Sequence, residues 1–274
     1  MRIQYMSDLH LEFKDNLDYI KSNDFDVMGD VLVLAGDTLY LNNNFMPRMK
    51  FWNWASKNFR QVMLIPGNHE FYAFEDVTKR GDSWQCLFRK NIGYYYNKVV
   101  RIDDVDFILT TLWSMISSED EYFVWRGLND FHQIKYYGHR LSIEDYNQEH
   151  KKCLSFLKRA VEESTAKHIV VVSHHLPTNA VVAPQHKYSS LNSAFVTELG
   201  NYIADSRIDV WIYGHSHTNI NTTIGNTRIV SNQLGYVGHQ EYLQNGYSPH
   251  AFIELNEQED YSVHVRLSKY LLQE

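Results

Sequence analysis

Metal-binding side chains recur in five short motifs of this sequence. The motifs are Asp8-Leu9-His10, Gly36-Asp37, Gly67-Asn68-His69-Glu70, His174-His175 and Gly214-His215-Ser216-His217. Their carboxylate, amide and imidazole groups are ligands that suit manganese, iron or zinc, and no motif contains a thiolate. The chemistry that these residue types indicate is therefore that of a bound transition metal.

Each motif also has an ordinary explanation when it is taken alone. The first could form a turn, the aspartate of the second could cap a helix, and the third could be a solvated turn. What favours a shared site is their common position, each directly after an apolar run. The carboxyl ends of strands in an open α/β sheet face one crevice, so side chains at these ends converge.

The elements that must position the motifs are apolar runs of strand length. They are residues 3–6, 31–35, 61–65, 169–172 and 209–213. Runs that are apolar on both faces are typical of central strands covered on both sides. Hairpins are expected at 99–109 and at 221–230. A third hairpin is expected from strands 251–255 and 261–267.

Helices are expected over residues 45–59, 74–90, 142–163 and 193–205. Ser142 is the expected cap of the third helix, with Asp145 three residues later. Residues 17–30 are polar and carry no strong helical pattern. Residues 114–141 are polar, aromatic and irregular, and their length exceeds that of a usual connection, which indicates a lid or binding insertion.

The order of the elements predicts the fold class. Strands alternate with helices through the first two-thirds of the chain and hairpins follow, which indicates an α/β fold of two packed sheets with helices outside. Neither an internal repeat nor a linker rich in Pro, Gly or Ser divides the 274 residues. We therefore expect a single domain over residues 1–274, with an aromatic-rich insertion at about 114–141.

Composition limits the partners and the compartment. The formal net charge is -7, which argues against a nucleic-acid partner, because such binding needs clustered Lys and Arg. Cys86 and Cys153 are the only cysteines, and so few favour a reducing compartment. No run approaches the ~20 apolar residues of a membrane span, and the start lacks the apolar region of a signal peptide. A cytoplasmic protein without a membrane partner is the expectation.

The motifs offer more ligand side chains than one tetrahedral ion can bind, and seven of them are assigned below. They fit two divalent ions that share a bridging carboxylate, at ~3.5–4 Å from one another as in two-metal hydrolases. About one positive charge remains after two aspartates and a bridging hydroxide are counted, which favours an anionic phosphate ester as the substrate. Bound metals would also lower the pKa of water, so that hydroxide is available near neutral pH.

The order of the motifs, D-x-H, G-D, G-N-H-E, H-H and G-H-x-H, resembles that of the calcineurin-like metallophosphoesterase family. The resemblance extends from Asp8 to His217. It implies a four-layer α/β/β/α sandwich with two mixed β-sheets, in which the metals lie at the strand ends. It also implies an enzyme of the branch that hydrolyses small phosphate esters.

The resemblance implies a role for most of the motif residues. The ligands of the first metal would be Asp8, His10 and His217. The ligands of the second would be Asn68, His174 and His215. Asp37 would bridge the ions, and His69 would contact the phosphate and protonate the leaving group. His174 is preferred to His175, because the family's ligand is usually the first residue past the strand, and Glu70 stays unassigned.

Two departures from the family pattern narrow the choice of branch within the family. Its protein phosphatases carry a carboxylate three residues after the bridging aspartate and an arginine before G-N-H-E, where Tyr40 and Pro66 stand here. A protein-phosphatase function is therefore not expected, and the group that orients His69 is left open. Family members that act on small molecules often carry an arginine where Leu234 stands. If that arginine clamps the substrate, this chain lacks the clamp.

The insertion holds the candidates for contact with a substrate. Its aromatic side chains could stack on a nucleobase, but a hydrophobic cluster that holds the insertion on the body is the preferred interpretation. They are Trp113, Tyr122, Phe123, Trp125, Phe131, Tyr136 and Tyr137. The candidates for a phosphate contact are Arg126, His132, His139 and Arg140.

The function expected from these observations is hydrolysis of a small organic phosphate, either a phosphodiester or a nucleotide. A hydroxide that bridges two Mn, Fe or Zn ions would attack the phosphorus. A non-catalytic scaffold on the same fold is one alternative, and the complete ligand set argues against it. A DNA exonuclease of the same family is another, and the acidic charge balance argues against it. The natural substrate and the oligomeric state are left open.

Overall fold

A computed structural model gives the fold for residues 1–23, 25–42 and 49–255. The helices are α1 (Lys14–Ser22), α2 (Lys50–Asn58), α3 (Glu121–Gly127), α4 (Asp130–Gln133), α5 (Ile143–Glu163) and α6 (Gly200–Asp205). The strands are β1 (Arg2–Met6), β2 (Val31–Ala35), β3 (Gln61–Ile65), β4 (Trp84–Arg89), β5 (Ile92–Tyr96), β6 (Lys98–Ile102), β7 (Val105–Leu109), β8 (Lys135–Tyr136), β9 (His139–Arg140), β10 (His168–Val172), β11 (Val210–Tyr213), β12 (Thr222–Ile224), β13 (Thr227–Ser231) and β14 (Phe252–Glu254).

The first sheet has six strands in the order β14-β1-β2-β3-β5-β4. Its four inner strands are parallel, and β14 and β4 pair antiparallel at the two edges. Every residue of β2 is buried, as expected of an apolar run that is covered on both faces. The strands expected at 31–35 and 61–65 are confirmed with the same bounds.

The second sheet also has six strands, in the order β12-β13-β11-β10-β7-β6. Here β13, β11, β10 and β7 are parallel, and β12 and β6 form antiparallel edges. The hairpins expected at 99–109 and 221–230 are confirmed as the pairs β6–β7 and β12–β13. Both sheets are therefore mixed.

The two sheets pack face to face, and their facing side chains form one apolar cluster. Val33 and Met63 of the first sheet contribute to it, together with Phe107 and Val172 of the second. The outer face of the first sheet is covered by α2 through Trp52, and that of the second by α5 and α6. This is the four-layer α/β/β/α sandwich with two mixed sheets that the sequence predicts.

The longest helix begins as expected. The Ser142 side chain accepts from the backbone N–H of Asp145, and the Asp145 side chain accepts from the backbone N–H of Ser142, which completes the capping box. None of the helices in the described part of the chain has the length and apolar character that a membrane span requires.

The structure corrects several local expectations. The expected helix at 74–90 is wrong, since a 3₁₀ turn at Val77–Arg80 and the edge strand β4 stand there. The stretch 17–30, expected to be irregular, contains most of α1. The helix expected at 193–205 is confined to α6.

Two other expectations reach the limits of the described residues. The helix expected at 45–59 is observed as α2, and residues 43–48 lie outside the described residues. The strand expected at 251–255 is β14, which pairs with β1, whereas its expected partner at 261–267 lies outside the described residues. The insertion at 114–141 is not irregular throughout, because it contains α3, α4 and the small hairpin β8–β9.

Candidate active site

The five motifs follow five neighbouring inner strands. β1, β2 and β3 lie side by side in the first sheet, and β10 and β11 lie side by side in the second, so the loops after them meet at one edge of the sandwich. The structure brings all the predicted site residues together there. They are Asp8, His10, Asp37, Asn68, His69, His174, His215 and His217.

Left-handed backbone conformations mark these loops. Asp8, His10 and Asp37 have φ angles of 55°, 45° and 52°, and His215 and His217 have 76° and 51°. Such values are uncommon for residues other than glycine. They cost free energy and persist where the surrounding structure holds them, which is typical of functional sites.

One group of donor atoms comes from Asp8, His10 and His217, whose ligand atoms lie within 4.8 Å of one another. His10 Nδ1 donates to Glu12 at 3.1 Å, and His217 Nδ1 donates to Glu241 at 2.7 Å. Because a carboxylate only accepts, each Nδ1 carries a proton, and Nε2 is the nitrogen that each ring turns toward the other donors. The two Nε2 atoms are 3.0 Å apart, so both are close enough to contact one bound cation.

A second group is formed by Asp37, His174 and His215, joined by Asn68. His174 Nδ1 donates to the Ala35 carbonyl at 2.9 Å, so its Nε2 is free to face Asp37 Oδ1 at 3.3 Å and Asn68 Oδ1 at 3.1 Å. His215 Nε2 is buried and has no hydrogen-bond partner among the described residues. A buried nitrogen without a partner is unfavourable, so this group also fits a metal ion.

Asp37 lies between the two groups. Its Oδ1 faces His174, and its Oδ2 is 3.8 Å from His10 Nε2. Burial raises the pKa of Asp37, but the charges of His174 and His69 outweigh burial and hold this pKa well below its ordinary value. The carboxylate is therefore ionised and has one oxygen turned to each group of donors.

The histidine pKa values indicate where positive charge is favoured. Burial lowers the pKa of His217, but Asp8 and Glu241 outweigh it and raise this pKa to about 10. Burial and the neighbouring histidines lower the pKa of His215 well below its ordinary value, so its ring is neutral, as a metal ligand must be. The carboxylates thus create a site that attracts cations, next to neutral imidazole donors.

Glu70, which the sequence left without a role, holds the Asp37 loop. Its carboxylate accepts from the backbone N–H groups of Asp37, Thr38 and Gly67 at 2.9, 2.8 and 2.7 Å, and from the Tyr94 hydroxyl at 3.0 Å. Burial and the charge of Asp37 raise the pKa of Glu70 to about 7. Its function in this arrangement is to fix the loop.

His175 points away from the site, unlike His174. Its Nε2 lies 2.9 Å from the hydroxyl of Tyr146, and its Nδ1 lies 3.3 Å from the carbonyl of Thr111. Both ring nitrogens are therefore taken up by the protein interior. The geometry favours His174 as the member of the pair that faces the other donors.

A cavity of about 510 Å³ opens directly above the donor atoms. Asp37, Asn68, His69, His215 and His217 line it. Aromatic side chains form much of the remaining wall, and they are Phe13, Tyr40, Tyr72, Phe195 and Tyr236. The insertion also contributes, through residues 127–130 and 133. A cavity of this size is typical of a site for a small molecule.

Comparison with known proteins decides the family. A sequence model of the calcineurin-like phosphoesterases matches residues 1–219, which is most of the chain. The chain belongs to the calcineurin-like phosphoesterase family. Family members generally bind divalent metal ions, and the two donor groups described above are able to hold them.

One sequence relative and one solved structure extend the comparison over nearly the whole chain. An uncharacterized protein, L509 of Acanthamoeba polyphaga mimivirus, is 29% identical over 285 residues, which cover 94% of this chain and 98% of the viral one. The crystal structure of a phosphopantetheinyl hydrolase from Mycobacterium tuberculosis is similar with a TM-score of 0.65 and 15% identity, and covers 94% of this chain and 97% of its own. The second likeness is one of fold.

His69 has a partner that the sequence analysis did not predict. Glu12 Oε1 accepts from His69 Nδ1 at 2.9 Å, whereas the ring of Tyr40 lies 6.5 Å from the imidazole. Glu12 thus supplies the orienting carboxylate that the sequence left open. Its position two residues after His10, in the alternating pattern D-x-H-x-E, is the signal that could have identified it.

Within the described part of the chain, none of the substrate candidates predicted in the insertion lines the cavity. Trp113, Phe131 and Tyr136 are buried in the hydrophobic core, as the packing interpretation predicts. Four other aromatics are largely exposed, and they are Tyr122, Phe123, Trp125 and Tyr137. None of the candidates for phosphate contact is among the described residues that line the cavity, and these are Arg126, His132, His139 and Arg140.

Proposed function

We propose that this protein is a metal-dependent phosphoesterase of the small-molecule branch, and that it hydrolyses a phosphodiester or a nucleotide. The observation that carries the proposal is the convergence of donor atoms from five strand ends on the floor of one cavity, next to His69. A scaffold protein would have no need for this arrangement of strained loops and buried donors.

Two metal ions, from Mn, Fe and Zn, would be held by the two donor groups. The proposed ligands of the first are Asp8, His10 and His217, and those of the second are Asn68, His174 and His215. Asp37 would bridge them. When bound, such ions offset the charge of a phosphate and lower the pKa of water.

His69 is the proposed general acid. Its Nδ1 is hydrogen-bonded to Glu12, so Nε2 is the nitrogen that is left for the substrate. Burial lowers the pKa of His69, but Asp37 and Glu12 outweigh it and raise this pKa above its ordinary value. The protonated ring would donate from Nε2 to the leaving-group oxygen and so stabilise the developing negative charge.

The aromatic wall supports an organic group on the phosphate. Phe13 and Tyr236 contact each other with ring centroids 5.5 Å apart, and Phe195 stacks on His215 at 4.3 Å. Such rings bury apolar surface of a ligand without ordering long side chains. The cavity therefore suits a small ester, and the fold likeness to a phosphopantetheinyl hydrolase is a reason to include phosphodiesters with extended organic groups among the substrates tested.

The experiment is a screen of chromogenic phosphomonoesters and phosphodiesters with protein loaded with Mn, Fe or Zn. We expect turnover of at least one class, close to two ions per chain, and loss of both metal and activity in Asp37→Asn. Full activity in protein free of metal would contradict the proposal. Processive degradation of duplex DNA, with binding that weakens steeply as salt increases, would favour an exonuclease instead.

A further inference from the structure

Asp130 is a buried carboxylate outside all five motifs. It lies in α4 of the insertion, is 2% exposed, and lines the cavity. Its Oδ1 accepts two hydrogen bonds, from Asn68 Nδ2 at 2.8 Å and from the Tyr72 hydroxyl at 2.7 Å. Burial raises the pKa of Asp130. A charged group is costly in such a place unless its hydrogen bonds compensate, so these contacts need an explanation.

The first contact decides which way the amide of Asn68 faces. The two ends of an amide have nearly the same shape and differ in that the nitrogen donates and the oxygen accepts. Asp130 takes the nitrogen, and Asn68 Oδ1 is consequently the atom that lies 3.1 Å from His174 Nε2. A reversed amide would turn its N–H groups toward the place of a cation, which is repulsive.

The second contact leads to the catalytic histidine. The ring of Tyr72 stacks on the imidazole of His69, with centroids 4.1 Å apart and an angle of 22° between the planes. The Tyr72 hydroxyl is anchored on Asp130. Glu12 holds Nδ1 of the same imidazole. The His69 ring is thus held at two places. Glu12 binds one of its nitrogens, and Tyr72, which is anchored on Asp130, packs against its face.

We propose that Asp130 is a positioning residue, which orients the Asn68 amide toward the metal and holds Tyr72 against His69. Because Asp130 belongs to the insertion, the insertion is then a structural part of the active site. The inference rests on the proposed function, because it assumes that Asn68 is a metal ligand.

The test compares two substitutions of the same size. Asp130→Asn keeps an oxygen that accepts from both Asn68 and Tyr72, whereas Asp130→Leu has a similar shape and no acceptor. Full-length proteins are stripped of metal and titrated with Mn²⁺ alone against a competing chelator. We expect Asp130→Leu to bind Mn²⁺ about 10- to 100-fold more weakly, as for other residues that support metal ligands, and Asp130→Asn to stay close to the wild-type protein.

Two further variants separate the roles. Tyr72→Phe leaves the bond between Asp130 and Asn68, so we expect near wild-type Mn²⁺ affinity with a lower kcat. Tyr136→Phe is the matched control, because it removes a hydrogen bond at 2.9 Å from the insertion to Glu149 and lies outside the site. Tyr136→Phe should change neither the Mn²⁺ affinity nor kcat. Near-ultraviolet circular dichroism checks folding, and Asp130→Ala, which opens room for water from the cavity, replaces Asp130→Leu if that variant does not fold.

Two results would overturn the proposal. Wild-type Mn²⁺ affinity in the acceptor-free variant would show that Asp130 does not orient Asn68. Equal weakening of Mn²⁺ binding in Asp130→Leu and Tyr136→Phe would mean that any disturbance of the insertion lowers the Mn²⁺ affinity. The Mn²⁺ titration uses no ester, so failure of the wild-type protein to hydrolyse any ester would reject the proposed function without affecting this comparison.

Discussion

Glu12 accepts hydrogen bonds from two imidazoles through the same oxygen. His10 Nδ1 and His69 Nδ1 lie 3.1 and 2.9 Å from Oε1. One of these rings is a proposed metal ligand and the other is the proposed general acid. The two rings are therefore held relative to each other by one carboxylate, which is largely buried. Burial raises the pKa of Glu12, but the hydrogen bonds from both histidines outweigh burial and hold this pKa below its ordinary value, so the carboxylate is negatively charged.

The first prediction concerns this carboxylate. Glu12→Ala removes the acceptor of both rings, and we expect kcat on a chromogenic ester to fall by about 10- to 100-fold. Glu12→Gln retains an oxygen at the same place and should lose less. Steady-state kinetics with metal analysis of each variant measures this. An unchanged kcat in Glu12→Ala would show that the orientation of His69 does not depend on Glu12.

The second prediction separates metal binding from chemistry. His69→Ala removes the general acid and no proposed ligand, so the metal content should stay the same while kcat falls by about 10²–10⁴-fold. The loss should be smaller for esters with good leaving groups, because these need less protonation. Loss of metal from His69→Ala would mean that this residue is a ligand.

Residues of the site differ in how far the sequence alone could reveal them. Each motif residue lies within five residues of the end of a mostly buried strand, so strand prediction places it at the shared edge of the sheets. Glu12 and Asp130 act on residues that are 57 and 62 positions away in the chain. Contacts of this kind depend on how loops fold back over the sheets. The spacing D-x-H-x-E marks Glu12 in the sequence, whereas no local pattern marks Asp130.

At the scale of the elements, the turn after β3 is closely packed because it contains a glycine. A Cβ on Gly67 would lie 2.7 Å from His174 Nε2 and would collide with the carboxylate of Asp37. The turn can approach the donors of both groups only without a side chain. The glycine of the G-N-H-E motif is thus required by the position of its neighbours.

The third prediction follows from this contact. Gly67→Ala forces Asp37 or His174 to move, and we expect a loss of stability of about 1–3 kcal/mol together with weaker metal binding. Gly238→Ala is the control, because the nearest atom to its Cβ belongs to the exposed side chain of Asp15. Chemical denaturation and Mn²⁺ titration measure both effects. Equal behaviour of the two variants would contradict the packing argument.

Strands that are buried on both faces were predicted with the right bounds, whereas one exposed edge strand and one uncapped helix were missed. The strands at 31–35 and 61–65 are continuous apolar runs inside a sheet. By contrast, β4 is an edge strand in which most residues are at least partly exposed. Its apolar residues Cys86, Leu87 and Phe88 are consecutive, so it lacks the alternation that is typical of a half-buried strand. The start of α1 has no side-chain cap, since Phe13 stands there, which removed the usual signal for a helix.

At the scale of the whole molecule, the site joins the two sheets. Asp8, Asp37 and Asn68 follow strands of the first sheet, whereas His174 and His215 follow strands of the second. A metal bound by both sets would link the sheets across the face where they pack. Metal binding and the stability of the sandwich are for this reason expected to be coupled.

The fourth prediction tests that coupling. We propose that residues 1–274 unfold as one cooperative domain, and that metal raises the midpoint of the single transition. The gain should approach about 4 kcal/mol when free metal exceeds its Kd by about 1,000-fold. Calorimetry with and without a chelator measures it, with Asp37→Asn as the variant that should not respond. Two separate transitions, or equal shifts in both proteins, would contradict the prediction.

The proposed metal ligands are also synthesised in a fixed order during translation. The loops after β1, β2 and β3 leave the ribosome first, and His174, His215 and His217 follow only after most of the chain has been made. A nascent chain that ends before residue 174 carries no donor from the second sheet. A metal held by donors of both sheets could therefore be bound only late in synthesis, and a chain truncated before residue 174 would lack half of the proposed ligands.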